Sequence, residues 1–216
     1  MAYKVIFIDE EQEQQELFQD YMEAVADQIE VTCIFPKAEM EEMLQEIDER
    51  HPDAIVTDYL LNDIKEYVKY NVSYTGVELV RQYREMRPDF PCFIITSFDN
   101  DAVSETDDVN LIYVKNILNN KEEGVKVHFY DKIKEQISKY QKSIELAKNE
   151  LHSLLTKKED GDIDPTQEQR IIELDDFLEK SLDNYSALPS EMKKVSNLDK
   201  LTSMIAKVDE LLEKID

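Results

Sequence analysis

Four groups of side chains able to do chemistry are spread along this 216-residue chain, and each stands at the end of an apolar run. Asp9-Glu10-Glu11 follow Tyr3-Lys4-Val5-Ile6-Phe7-Ile8, and Asp58 closes Pro52-Asp53-Ala54-Ile55-Val56-Thr57. Thr96-Ser97 follow Phe93-Ile94-Ile95, and Lys115 follows Val109-Asn110-Leu111-Ile112-Tyr113-Val114. A short apolar run that stops at a carboxylate reads as a buried strand with an ionised group at its carboxyl end, where open α/β sheets keep their sites. Adjacent strands of this kind bring several carboxylates into one crevice. Like charges held that close repel, and a hard divalent cation with oxygen ligands is the usual relief. The expectation is a Mg²⁺-binding acidic pocket centred on Asp58, with Asp9, Glu10, Thr96 and Lys115 on its rim. A single strand-end Asp is more often a solvated terminator; two such ends, with the features below, reverse that weighting.

The segments between these runs have the pattern needed to position them. Glu11 to Ala26 sets Leu17, Phe18, Met22 and Val25 on one helical face. Ile29 to Phe35 is a β-branched strand ended by Pro36, and Met40, Met43, Leu44 and Ile47 line the next helix up to His51-Pro52. Thr75-Gly76 opens a helix carrying Val77, Leu79, Val80, Tyr83 and Met86, closed by Arg87-Pro88. Asp99 to Asp108 gives a poor helix at best. Alternating strands and helices predict a doubly wound α/β domain with a five-stranded parallel sheet. The stretch 62–74 fits no element, and its tyrosines Tyr67, Tyr70 and Tyr74 read as anchors folding back onto the domain.

From Tyr130 the pattern changes. Ile133, Ile137, Tyr140, Ile144, Ala147, Leu151 and Leu154 recur in steps of three and four, a heptad seam. Gly161 interrupts it, and Asp164-Pro165-Thr166-Gln167 supplies an N-cap, a first-turn Pro and a capping-box Gln for a second helix. A third stripe runs from Leu198 to Ile215. The expected organisation is a sheet domain over 1–122 and an all-α coiled-coil or bundle extension over 123–216, with helices at about 126–156, 165–186 and 196–215.

Composition narrows the function. Acidic residues outnumber basic ones 49 to 25, for a formal charge of −24, and no basic stripe interrupts them. Nucleic acid and anionic membrane are disfavoured as partners. Cys33 and Cys92 lie in apolar runs without metal-ligand spacing and read as structural thiols. With no long apolar stretch and no signal-peptide pattern, a soluble cytoplasmic protein is expected. His152 lacks the Lys-Gly context of a phosphotransfer histidine and reads as an ordinary surface residue.

Taken together and in order, these motifs resemble the receiver domain of two-component response regulators, over roughly the first 120 positions. Val5 to Glu11 is similar to that family's first strand and acid pair, and Pro52 to Asp58 to its phosphoacceptor strand. Thr75-Gly76-Val77-Glu78-Leu79 is similar to the opening of its third helix, Ile94-Ile95-Thr96-Ser97 to its fourth strand with the switch hydroxyl, and Val114-Lys115 to its lysine. The resemblance implies a flavodoxin-like sheet of order 2-1-3-4-5. It implies that Asp58 accepts a phosphoryl group from a sensor histidine kinase, a phosphotransfer protein or a small phosphodonor. It implies Mg²⁺ held by Asp9, Glu10, Asp58 and the carbonyl of Leu60, with Lys115 pairing with the anion and Thr96 swinging to a phosphoryl oxygen.

Departures from the family pattern are specific. Asn116 stands where a Pro usually follows the lysine, and Ile112 where an aromatic is common, with Tyr113 one place along. The segment after Asp58 is roughly ten residues longer than is typical. An alternative alignment making Lys132 the site lysine is rejected, because Lys132 falls on the polar flank of the heptad stripe. The expected function is a stand-alone receiver, not a classical enzyme, that signals through its helical extension by contact with a downstream protein or by homodimerisation. Two other classes compete: a pseudo-receiver scaffold without phosphoryl turnover, and a hydrolytic enzyme built on the same fold.

Overall fold

The computed structural model describes residues 2–61, 70–97, 111–118 and 127–182. The expectations for Tyr67 and the rest of 62–69, for 99–108, for Val109 and Asn110, for 183–186 and for the helix at 196–215 lie outside the described residues. Two compact units, Met1–Tyr140 and Gln141–Asp216, divide the chain.

In the first unit, β1 (Tyr3–Ile8), β2 (Ile29–Ile34), β3 (Ala54–Asp58), β4 (Cys92–Thr96) and β5 (Ile112–Val114) form one sheet in the order β2-β1-β3-β4-β5. Every neighbouring pair is parallel. This is the doubly wound, flavodoxin-like order 2-1-3-4-5, and its direction of winding reverses at β1 and β3. The helices are α1 (Gln12–Met22, prolonged by a 3-10 turn Glu23–Val25), α2 (Met40–Arg50), α3 (Gly76–Met86) and α4, which starts at Phe129.

Burial follows from strand alternation and from the helix stripes. Val5, Phe7, Ala54, Val56, Phe93 and Ile95 face one layer, with Phe18, Tyr21 and Met22 of α1 and Phe129, Ile133 and Ile137 of α4. Phe7 stacks on Phe18 at 4.2 Å, and Phe93 meets Phe129 edge-on at 5.5 Å. The alternate positions Ile6, Ile8, Ile55 and Ile94 are buried as well, as are Met43, Ile47, Leu79, Val80 and Tyr83 of α2 and α3. A sheet covered on both faces explains why β3 and β4 are apolar without a break until their last residues.

Three readings shift. Leu17, expected on the buried face of α1, is exposed, and Tyr21 takes its place. Residues 129–140 carry the heptad spacing but belong to the sheet unit, so the division falls at Tyr140 rather than at 122. The stripe there is an apolar face laid on a sheet, which has the same three-and-four spacing as a coiled-coil seam. The fifth strand is short, ending at Val114 as expected, and Lys115 begins a 3-10 turn to Leu118.

The expectation that the loop tyrosines are anchors holds for two of them. Tyr70 donates to the Pro36 carbonyl at 2.6 Å and Tyr74 to the Lys37 carbonyl at 2.9 Å, tying the chain after β3 to the β2–α2 connection. Cys33 and Cys92 are free thiols, and burial pushes them up to about 11 and about 12, so neither is a ready nucleophile.

In the second unit, the rest of α4 (Phe129–Glu159) and α5 (Pro165–Leu182) form a helical hairpin. Its core is Ala147, Leu154, Ile171, Leu174 and Leu178, flanked by Ile144, Leu151, Ile163 and Phe177. Gly161 has φ +75°. Hydrogen bonds from its N–H to Lys158 O and from Asp162 N–H to Lys157 O close α4 in a Schellman turn. Asp164 caps α5 by accepting from the amides of Thr166 and Gln167, and the Asp164 N–H in turn donates to Gln167 Oε1. That is the capping box expected from the sequence. Among the described residues no helix is long and apolar enough to cross a membrane.

One buried ionic cluster joins α2 to the end of α3. Arg87 Nη2 lies 3.3 Å from Asp48 Oδ1, and the Tyr83 hydroxyl donates to the same oxygen at 2.9 Å. Removing one partner strands a buried charge, whereas removing both leaves only the Tyr83 hydroxyl without its acceptor. Arg87→Met is expected to lower unfolding free energy by about 3 kcal/mol in urea titration, and Asp48→Leu with Arg87→Met to lose much less than the two single changes combined. Additive losses would contradict this pairing.

Candidate functional site

The register explains why the reactive side chains meet. Ile8 is level with Thr57, Asp58 with Ile95, and Thr96 with Val114. The residues that end β3 and β4, and those that follow β1 and β5, therefore emerge at the same edge of the sheet. Asp9, Glu10, Asp58 and Thr96 are all buried there. Lys115 places its ammonium 2.7 Å from Asp58 Oδ1 and 3.3 Å from Asp9 Oδ2. Lys132, by contrast, sits on α4 with its ammonium 4.7 Å from the Tyr113 ring.

Asp9 and Asp58 are also held by backbone. The Glu11 N–H donates to Asp9 Oδ1 at 2.8 Å, and the Leu60 N–H donates to Asp58 Oδ2 at 2.9 Å. Both are side-chain turns two residues long, a habit of Asp at a strand's end. Helix α3 begins close by, fixed by a Thr75–Glu78 capping box, with the Gly76 N–H donating to the Tyr59 carbonyl at 2.8 Å. A Cβ on Gly76 would run into the Asp58 carbonyl oxygen and come within 3.0 Å of Thr57 Cγ2. Only glycine fits this approach. Gly76→Ala is expected to cost about 2 kcal/mol in urea unfolding, since backbone must move to admit the methyl group; a loss under about half of that would mean the contact is easily relieved.

Charge in this pocket is unbalanced. Three buried carboxyl groups face one ammonium, and Glu10 Oε2 finds no hydrogen-bond partner among the described residues. Burial pushes Asp9 up to about 7, with Lys115 opposing part of the rise. Burial likewise pushes Glu10 up to about 8, and the charges of Asp9 and Asp58 add to it. Asp58 is raised by burial despite Lys115 beside it. For Lys115, burial alone would lower the ammonium's pKa, but Asp58 and Asp9 outweigh that and raise it.

Buried oxygen donors with one orphaned atom match what a small hard cation asks of a site. Among the described residues no three acidic, histidine or cysteine side chains are already gathered around one point, and the Lys115 ammonium stands between Asp9 and Asp58. The oxygen donors of Asp9, Glu10 and Asp58 are of the kind that Mg²⁺ takes, and these residues would hold it.

Protonation of these acids is linked to stability. Their folded pKa values lie above the unfolded ones, so the stabilisation from bound protons is complete below the ordinary values of 3.8 and 4.5 and is lost as pH rises through about 7 and about 8. In cation-free buffer the melting temperature is expected to fall between pH 5 and pH 8.5. Asp9→Asn with Glu10→Gln should flatten that slope; an equal slope in the double variant would place its origin elsewhere in this acidic chain.

Of the residues singled out from sequence, Asp9, Glu10, Asp58, Thr96 and Lys115 come together at one edge, and Leu60 adjoins them through its amide. His51 caps the C-terminus of α2 with φ 49°, and His152 is exposed on α4. Two residues that matter to the geometry went unremarked: Gln15, and Gly76 as a contact rather than a helix opener.

No family model matches this chain, and no curated protein matches it. Among solved structures it is similar to the RcsB response regulator of Salmonella typhimurium, at 14% identity and a TM-score of 0.42, over 55% of each chain. The chain thus spans about half the length of that protein. It is also similar to the signal receiver domain of NarL from Mycobacterium tuberculosis, at 12% identity and a TM-score of 0.40, over 65% of this chain and 97% of that one. A fusion carrying a trimeric coiled-coil segment of yeast Spc42 gives 14% identity and a TM-score of 0.44, over 72% and 96%. Likenesses this distant carry no argument; the fold stands on its own strand order and register.

Proposed function

We propose that the sheet unit is a receiver-type phosphoacceptor: Asp58 takes a phosphoryl group in a Mg²⁺-dependent reaction, and the chain signals through its helical extension by contact with another protein. The observation that carries this reading is the Asp58 carboxylate 2.7 Å from the Lys115 ammonium, at the carboxyl edge of a 2-1-3-4-5 sheet, beside the buried acids Asp9 and Glu10.

The chemistry follows from those positions. One Asp58 carboxylate oxygen attacks phosphorus of a phosphohistidine, on a sensor kinase or phosphotransfer protein, or of a small acyl phosphate. The O–P bond forms as the P–N bond, or the P–O bond of an acyl phosphate, breaks, and the leaving group takes the bond's electron pair. A carboxylate is a modest nucleophile, so the barrier is set by how well negative charge on the phosphoryl oxygens is met. Bound Mg²⁺, with Asp9, Glu10, Asp58 and the Leu60 carbonyl as its holders, would supply part of that neutralisation. Lys115 supplies the rest, and is held at hand by Asp58 and Asp9 before any phosphate arrives. The Leu60 N–H on Asp58 Oδ2 fixes the carboxylate plane. Thr96, buried at the same edge, is the hydroxyl that would meet a phosphoryl oxygen and turn modification into a changed surface.

A scaffold without phosphoryl turnover is the second reading. It is favoured by the absence of a ready-made cluster of three ligating side chains among the described residues, and by Ile112 and Asn116 at two positions where the resembled family usually differs. Intact mass after incubation with acetyl phosphate and Mg²⁺ separates the two. Wild type should gain one phosphoryl group and Asp58→Asn none, while Lys115→Met should label roughly a hundredfold more slowly. A wild type that stays unlabelled while an ordinary receiver in the same tube is labelled would favour the scaffold.

A further inference from the structure

The parallel ladder between β1 and β2 begins with the Tyr3 N–H donating to Gln28 O, and the register then advances one residue on each strand up to Ile8 and Ile34. Continuing that alternation by two-residue steps, the donor due to reach the Asp9 carbonyl is the amide of residue 36. That residue is Pro36, which has no N–H. The Asp9 carbonyl is not left empty. The side-chain amide of Gln15, in the second turn of α1, reaches back and donates Nε2–H to Asp9 O at 2.8 Å and to Ile34 O at 3.3 Å. Gln15 is 8% exposed, an unusual position for a glutamine unless its amide is needed where it is.

We infer that Gln15 is a positioning residue for the acid pair: its amide replaces the rung that Pro36 cannot supply, and so fixes the peptide from which Asp9 and Glu10 project into the site. This rests on the reading of that site as a cation-binding one. The chain turns sharply after Ile8, since the Glu11 N–H folds back onto Asp9 Oδ1 and the Glu11 carbonyl already accepts from the amides of Gln14 and Gln15. With the Asp9 carbonyl held by Gln15, one Asp9 oxygen by Glu11 and the other by Lys115, the residue has little freedom left. Ligands oriented in this way typically lose tenfold or more in metal affinity when the orienting group is removed. Gln15→Met keeps the length and the apolar stem while deleting both donors.

The test uses the full chain as wild type, Gln15→Met, and Ile47→Val, a change in the buried face of α2 that lowers stability and removes no polar group. Amide exchange followed by NMR is expected to speed up roughly tenfold or more at Glu11 in Gln15→Met, with Phe7 in the strand little changed. Calorimetry with Mg²⁺ alone is expected to show about tenfold weaker binding in Gln15→Met and wild-type binding in Ile47→Val. Unchanged exchange at Glu11 overturns the inference, and so does an equal loss of Mg²⁺ affinity in Ile47→Val. Should wild type bind no Mg²⁺ while exchange at Glu11 still rises selectively in Gln15→Met, the positioning role stands and the cation reading of the site falls.

Discussion

Three carboxyl groups buried at one end of a sheet with a single ammonium between two of them is an arrangement that water would dissolve. The folded chain keeps it because the sheet leaves no alternative. Parallel strands packed on both faces present only their ends to solvent, and β1 and β3 reach their ends level with each other. Burial then raises Asp9 and Glu10 well into the neutral range. Such a site costs stability as it stands, and the cost is recovered only by something cationic or by a proton.

The opposite treatment of charge elsewhere in the same unit makes the contrast plain. Asp48, equally buried, has Arg87 and the Tyr83 hydroxyl on one oxygen, so one acid meets one base. That cluster reads as structural. At the strand tips the numbers do not match, and the local backbone has been shaped to hold the mismatch: side-chain turns at Asp9 and Asp58, a glycine where α3 passes the Asp58 carbonyl, and the Gln15 amide in place of the amide that Pro36 lacks. Fixed geometry around unspent charge is what an electrostatic site needs in advance of its ligand.

The sheet, and the meeting of these side chains at one edge of it, were legible from sequence for a single reason. Each apolar run was bounded by a polar residue whose type differed from its neighbours, so strand ends and chemistry were marked by the same residues. Where that coincidence fails, the reading fails. Phe129, Ile133 and Ile137 have the spacing of a coiled-coil seam, and nothing in a three-and-four pattern says whether a helix or a sheet lies beneath it. Leu17 and Tyr21 are both apolar-faced, and only the packing decides that the tyrosine goes in. Gln15 sits among Gln12, Gln14 and several acids with nothing to single it out. Its signal lies in Pro36, and becomes readable only after the β1–β2 register is known.

The central claim is that these strand tips form a site for a phosphoryl group on Asp58 and a cation beside it. A crystal structure of the full chain grown with Mg²⁺ and beryllium fluoride, which mimics an acyl phosphate, tests this most directly. The account predicts a fluoroberyllate bonded to an Asp58 oxygen, the Lys115 ammonium turned onto it, and a metal ion touching Asp9 and Asp58. A structure with an unmodified Asp58 still paired to Lys115, and no metal between the acids under saturating conditions, would contradict it.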